Sequence, residues 1–151
     1  MKKASEVLIE SEKTRIQITG NLVRLDLLKD NPRITGYCAL GALACEKKMI
    51  TNQNVLDHPP SYNDILLSYG LNPWAKVQHP EVGYINKQEV CNLIWRLNDT
   101  YKWSFKQIGK WLAKFEDQIK LPEHLIGKTN REISTQDMRK LERVEVKEVK
   151  E

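Results

Sequence analysis

The apolar positions of this chain recur mostly at helical spacing, in runs separated by polar and proline-bearing stretches. Over residues 5–28 they are Val7, Leu8, Ile16, Ile18, Leu22, Val23, Leu25, Leu27 and Leu28, with a polar interruption at 11–15. The pattern predicts helix with a break near Thr19-Gly20, and Asn21 as the cap of a second helix reaching about residue 29. Lys29-Asp30-Asn31-Pro32 closes that segment, because a proline drives the residue before it out of the helical region. The next run, Tyr37-Cys38-Ala39-Leu40-Gly41-Ala42-Leu43-Ala44-Cys45, is small and apolar throughout. It predicts a helix from Cys38 to about Lys48 whose narrow side chains permit close packing.

Residues 51–61, with Asp57-His58-Pro59-Pro60, predict a surface loop. Ser61 caps a predicted helix over 62–69, with Ile65, Leu66 and Tyr69 inward and Gly70 at its C-terminal stop. A second irregular stretch covers 72–84. Asn86, with Glu89 three residues on, caps a helix whose stripe is Val90, Leu93, Ile94 and Leu97 and which ends at 98–100. Ser104 caps the next helix, to about Phe115, where Ile108, Trp111, Leu112 and Phe115 repeat at three and four. Past Leu121-Pro122 the pattern thins to a turn at 123–126 and another capped by Ser134 or Thr135, carrying Met138 and Leu141. The fold expected is mainly α: a compact single-domain helical bundle with long irregular loops over 1–135, followed by a charged, mobile C-terminal tail over 136–151. The Cys38 helix is expected to receive Leu93, Leu97 and Ile108 from the 86–115 hairpin.

Composition narrows the classes. A chain of 151 residues buries roughly two thirds of the surface it exposes unfolded, so it needs no staple. Cys38, Cys45 and Cys91 are odd in number, and neither a Cys-x-x-Cys nor a His-x-x-x-His pair occurs, which argues against a disulfide framework and a metal site. No glycine-rich loop follows a strand, so no cofactor is expected. No stretch approaches the roughly 20 consecutive apolar residues of a membrane span, and no N-terminal apolar run marks export. The expected location is cytoplasmic. The net charge of +4 is mild and both signs are interspersed, unlike the concentrated basic face of a dedicated nucleic-acid binder.

Candidate chemistry centres on Cys38. A thiol at a helix N-terminus has its thiolate favoured by the dipole and by unpaired backbone N–H groups, which prepares a nucleophile. A cysteine hydrolase would then require a histidine, from His58 or His79, and a polar group such as Asp99 to orient it. The competing account is a small buried cysteine packing between helices. Asn98-Asp99 invites a binding or catalytic role, against a mechanical one in which either side chain hydrogen-bonds across to the Cys38 helix. Lys102, Lys106, Lys110 and Lys114 form one stripe near Tyr101, Trp103 and Trp111, the raw material of a nucleic-acid-binding helical domain, although a solvated face gives the same pattern. A helix-turn-helix would need a recognition helix after residues 104–109, where Asp117-Gln118-Ile119-Lys120-Leu121-Pro122 stands instead.

The segment Gly36-Tyr37-Cys38-Ala39-Leu40-Gly41-Ala42-Leu43, followed by Leu97-Asn98-Asp99 and Ser104-Phe105-Lys106-Gln107-Ile108, resembles a group of small uncharacterised phage and bacterial proteins that share a Cys-Ala-Leu-Gly-Ala-Leu helix, an Asn-Asp turn and a Ser- or Thr-opened helix. The resemblance covers residues 36–46 and 92–112. It implies a phage or prophage origin, with the host-cell cytoplasm as the location, and implies no activity. The expectation is an accessory protein that binds a host protein or a small ligand without covalent chemistry, with Asn98, Trp103, Lys102, Lys106 and Lys110 as candidate contacts.

Overall fold

The computed structural model describes residues 2–27, 31–82 and 87–147. Helix α1 (Ala4–Thr14) buries Ala4, Val7 and Leu8 along one face, and the chain then runs extended, with Ile18 N–H donating to the Tyr37 carbonyl and Tyr37 N–H to the Ile16 carbonyl. Strands β1 (Val23–Asp26) and β2 (Arg33–Tyr37) pair antiparallel, Val23 opposite Tyr37 and Asp26 opposite Arg33. The helix expected from Asn21 is therefore a strand. Val23 and Leu25 alternate with Arg24 and Asp26 at a period of two, which suits a half-covered pleated face better than a helix stripe.

Helix α2 (Ala39–Glu46) follows, capped by the Cys38 sulfur, which accepts Gly41 N–H at 3.3 Å. Helix α3 (Tyr62–Leu67) is capped by Ser61 and α5 (Phe105–Ala113) by Ser104, whose partner Gln107 returns a bond to the Ser104 N–H. Between them, β3 (Lys76–Val77) pairs antiparallel with β4 (Gln88–Glu89), and α4 (Val90–Asp99) begins directly after it. Glu89 itself stands at the α4 N-cap, without a side-chain bond, and Asn86, its expected capping partner, lies outside the described residues. The protein is thus helix-rich but mixed: among the described residues, six α-helices stand beside two small antiparallel sheets.

Of the segment expected as a mobile tail, residues 136–147 are described and 148–151 lie outside the described residues. Ser134 caps α6 (Thr135–Glu142), Leu141 is buried, and beyond it Lys76 N–H donates to the Val144 carbonyl and Val146 N–H to the Lys76 carbonyl. Those two bonds and the buried Val146 side chain fasten residues 144–146 to β3. Charge alternation at 142–147 reads as tail because a single buried side chain, Val146, beside half-buried Val144 is too short a pattern to register in sequence.

The core has two parts. The larger joins α1, α2, α3, α4 and α5; the smaller holds Leu67, Trp74, Leu121, Leu125, Ile133 and Leu141 beneath the C-terminal segment. Helix α1 packs most extensively on α5, and α2 lies against α1, α3 and α4. Leu93, Leu97 and Ile108 are all in the larger cluster, but the leading partner of α2 is α1. Gly109 explains the α1–α5 approach: a β-carbon there would lie 2.8 Å from the Ile9 side chain and 2.9 Å from the Ser5 carbonyl oxygen. At Gly41 a β-carbon would overlap the Leu22 carbonyl, so the small-residue helix is pressed against backbone.

Candidate functional site

The residues with the most chemical character meet where α2 starts and α4 ends. Asn98 is fully buried, and every polar atom of its side chain is used: Oδ1 accepts from Gln17 Nε2 at 2.7 Å and from Ala39 N–H at 3.1 Å, while Nδ2 donates to the Ile18 carbonyl and to Asp99 Oδ1, each at 2.8 Å. Gln17 in turn donates to the Trp103 carbonyl and accepts Phe105 N–H, so one amide pair stitches three segments and the α5 N-terminus together. Cys38 is 5% exposed. Burial, with the Asp99 carboxylate adding to it, outweighs the backbone N–H groups of Gly41 and Leu40 and pushes the thiol up to about 11. At neutral pH it is a protonated sulfur that caps a helix.

Neither candidate histidine turns that sulfur into a nucleophile. His58 is exposed in the 51–60 loop, and among the described residues no hydrogen bond joins Cys38 to His58 or His79. His79 is 3% exposed, and its Nδ1 accepts Glu81 N–H at 3.0 Å and Val82 N–H at 3.3 Å. Two donors on Nδ1 place the proton of the neutral ring on Nε2, which is buried with no hydrogen-bond partner among the described residues, while the ring meets Tyr101 edge-on at 4.7 Å. Burial, helped by Arg96, holds this histidine below its ordinary range, against an opposing pull from Glu81. A ring held in that tautomer has no lone pair to take a thiol proton. The expected constellation of Cys38, a histidine and Asp99 is not assembled.

Of the candidate contact residues, Asn98 and Trp103 are linked through Gln17. Trp103 gives its indole N–H to Glu81 at 2.8 Å. Lys102 precedes α5 in left-handed backbone, φ 57°, and Lys106, Lys110 and Lys114 are exposed on the face opposite the apolar stripe. Trp111 is buried edge-on against Phe115, so it offers no face for a base to stack on.

Open space lies elsewhere, at the seam between the two core clusters. Helix α3 stops at Gly70, φ 72°, through paired bonds from Leu71 N–H to the Leu66 carbonyl and from Gly70 N–H to the Leu67 carbonyl, the Schellman arrangement. The exit is tied to the segment after α5 by Asn72 N–H to the Ile119 carbonyl and Leu121 N–H to the Gly70 carbonyl, both 2.8 Å. These two crossed strands of backbone frame a cavity of about 290 Å3 lined by residues 67–71, Glu116, Lys120, Leu121, Ile126, Gly127 and Lys3. Because hydrogen-bonded backbone builds its wall, the cavity exists before anything enters it.

No protein-family model, curated protein or solved structure matches the chain. The site must be judged from its own geometry.

Polar groups in the wall are largely engaged. Ser68 donates to the Ile65 carbonyl, and the Tyr69 hydroxyl to the Leu43 carbonyl. Glu116 is buried at the N-terminal turn of α1, where its two oxygens accept Ser5 N–H at 3.1 Å and Ser5 Oγ–H at 2.5 Å, a carboxylate at the positive end of a helix dipole. The remaining charges, Lys3 and Lys120, are half-exposed at the mouth. Such a wall can shelter an apolar body; it presents no nucleophile and no acid–base pair. Among the described residues no group of three or more His, Cys, Asp or Glu is placed to hold a metal ion, and no helix is long and apolar enough to cross a membrane.

None of the cavity residues stood out in sequence as a candidate site. Leu67, Leu71, Leu121 and Ile126 look like any core or surface aliphatic. The one local signal is Ile126-Gly127, a large apolar residue beside a left-handed glycine, with Ile126 56% exposed.

Proposed function

We propose that the protein is a small accessory protein of phage type that acts by non-covalent binding, and that the seam cavity is its seat for a small apolar ligand. The observation that carries this is the backbone-framed apolar cavity of about 290 Å3. Preformed apolar pockets with few polar groups are the usual seats of small ligands. The protonated, buried Cys38 thiol and the Nε2–H tautomer of His79 weigh against the cysteine-hydrolase alternative. An engineered cavity of about 150 Å3 holds benzene, so this volume accommodates roughly twelve non-hydrogen atoms.

Decan-1-ol has about that size, and its titration into the full chain by calorimetry tests the proposal. Saturable binding is expected, with a raised melting temperature. Ile126→Trp should abolish binding while leaving the unliganded melting temperature nearly unchanged, because the Ile126 side chain already reaches 3.4 Å from the β position of Gly70 and a larger ring there closes the mouth. Binding by Ile126→Trp as tight as that of the unaltered chain, or no binding by either, would refute the cavity as a ligand seat.

A further inference from the structure

The cavity's mouth carries a charge arrangement that its apolar wall does not require. Asp117 lies 3.3 Å from the Lys120 ammonium and 3.9 Å from that of Lys3, so one exposed carboxylate stands between two cations from distant parts of the sequence. Exposed pairs of this kind contribute little to stability, and the Lys3 contact is at the limit of an ion pair. The other acidic group of the cavity, Glu116, is sealed on Ser5 and set against the α1 N-terminus, so its charge is already answered from behind. A ligand lying in the cavity would thus leave its end beside two ammonium groups that, among the described residues, meet the same carboxylate, with Ile126 and Leu121 along its body.

Granting that the cavity binds a small apolar ligand, we propose that its ligand class is a medium-chain amphiphile with an anionic head: the hydrocarbon occupies the seam between the core clusters, and a carboxylate joins Asp117 between Lys3 and Lys120. The class follows from three features acting together. The volume sets a body of roughly twelve non-hydrogen atoms. The wall's hydroxyl donors, Ser68 and Tyr69, are both given to backbone carbonyls and Glu116 is turned onto Ser5, so an acceptor group in the interior of the ligand would find no side-chain donor there. The long lysine stems let the ammonium groups reach the mouth while their methylenes extend the apolar wall.

The test compares three ligands of one chain length, decanoate, decan-1-ol and decylammonium, titrated below their micellar concentrations into the full chain at low and at physiological ionic strength. Decanoate should bind about three- to ten-fold more tightly than decan-1-ol, the size expected of one or two exposed ion pairs, and decylammonium more weakly than either. The preference should shrink with salt and vanish in a Lys3→Met, Lys120→Met double variant, which keeps the apolar stems and removes only the charges, read as the ratio of decanoate to decan-1-ol affinity within that variant. Both positions are exposed, so the variant is expected to fold, and its circular dichroism and melting temperature check this directly. Equal binding of decanoate and decan-1-ol would overturn the anionic-head assignment and leave the cavity as an apolar site. Preferential binding of decylammonium would overturn it in favour of Glu116 as the determinant. Failure of all three to bind would remove the cavity itself as a ligand site.

Discussion

At the α2–α4 junction, polar atoms are closed on one another. Asn98 makes four hydrogen bonds, Gln17 makes three, and the Cys38 sulfur accepts the Gly41 N–H. At the seam cavity the main chain is closed on itself while apolar side chains enclose unfilled volume, with cations at the rim. The junction spends its chemical groups on holding segments together; the cavity uses backbone bonds for that purpose and leaves its surface available. The difference teaches where to look in such a protein. Side chains that could act as nucleophiles or ligands are most useful to a helical core as caps and cross-links, and a binding surface can be built from residues without distinctive chemistry.

The sharpest way to break the comparison is Asn98→Ala. It strands the Ala39 N–H in a buried place and the Ile18 carbonyl and the Gln17 amide in partly buried ones, and since a buried orphan costs about 1–3 kcal/mol and a partly buried one less, a total loss of about 2–5 kcal/mol is expected in a urea titration. A loss under 1 kcal/mol would show that water reaches the junction. Alkaline pH comes next. Burial raises the thiols of Cys38 and Cys45 to about 11 and that of Cys91 to about 12, from an ordinary 9.0. The folded state therefore keeps protons that the unfolded chain has released. The stability this contributes is complete below pH 9 and is lost progressively as the pH rises through 9 to about 12. Urea midpoints that stay level across that range would contradict the burial.

Smaller effects separate the two regions more finely. Cys38→Ser keeps an acceptor for the Gly41 N–H, since serine is itself a favoured helix cap, so the stability change should stay within about 1 kcal/mol. Decan-1-ol affinity should not change at all. A variant that folds but loses binding would move the site back to the junction. Below pH 6.5 the lowered His79 works in the opposite sense to the thiols: the unfolded chain takes up a proton that the folded ring resists, so stability present above 6.5 is lost as the pH falls. His79→Asn, which can offer an oxygen to the Glu81 and Val82 N–H groups, should flatten that fall in urea midpoints measured between pH 7 and 5.

Much of the helical framework was legible because its signals are local. Ser61, Ser104 and Ser134 cap helices where a hydroxyl precedes an apolar run, and Gly70 stops one where left-handed backbone is needed. The β1–β2 pair was not legible, since Val23 and Leu25 sit among enough neighbouring aliphatics to satisfy a helical spacing as well as an alternating one. Docking of residues 144–146 on β3 depends on backbone bonds between distant segments, which leave no trace in side-chain pattern. The same holds for the cavity: Gly70 and Leu121 are joined by a main-chain bond across fifty positions of sequence, roughly, and nothing in either residue type announces it. Cys38 and His79, conspicuous in sequence, turned out to be engaged by backbone N–H groups, the commonest use of a buried polar side chain.

The most direct measurement follows backbone amide resonances of the isotopically labelled full chain during a decan-1-ol titration. Binding in the seam predicts saturable shifts at Ser68, Gly70, Leu71, Lys120 and Leu121, with Ala39, Gly41 and Asn98 unmoved. Shifts centred on Ala39, Gly41 and Asn98, or no saturable shift anywhere, would contradict the assignment of ligand binding to the cavity.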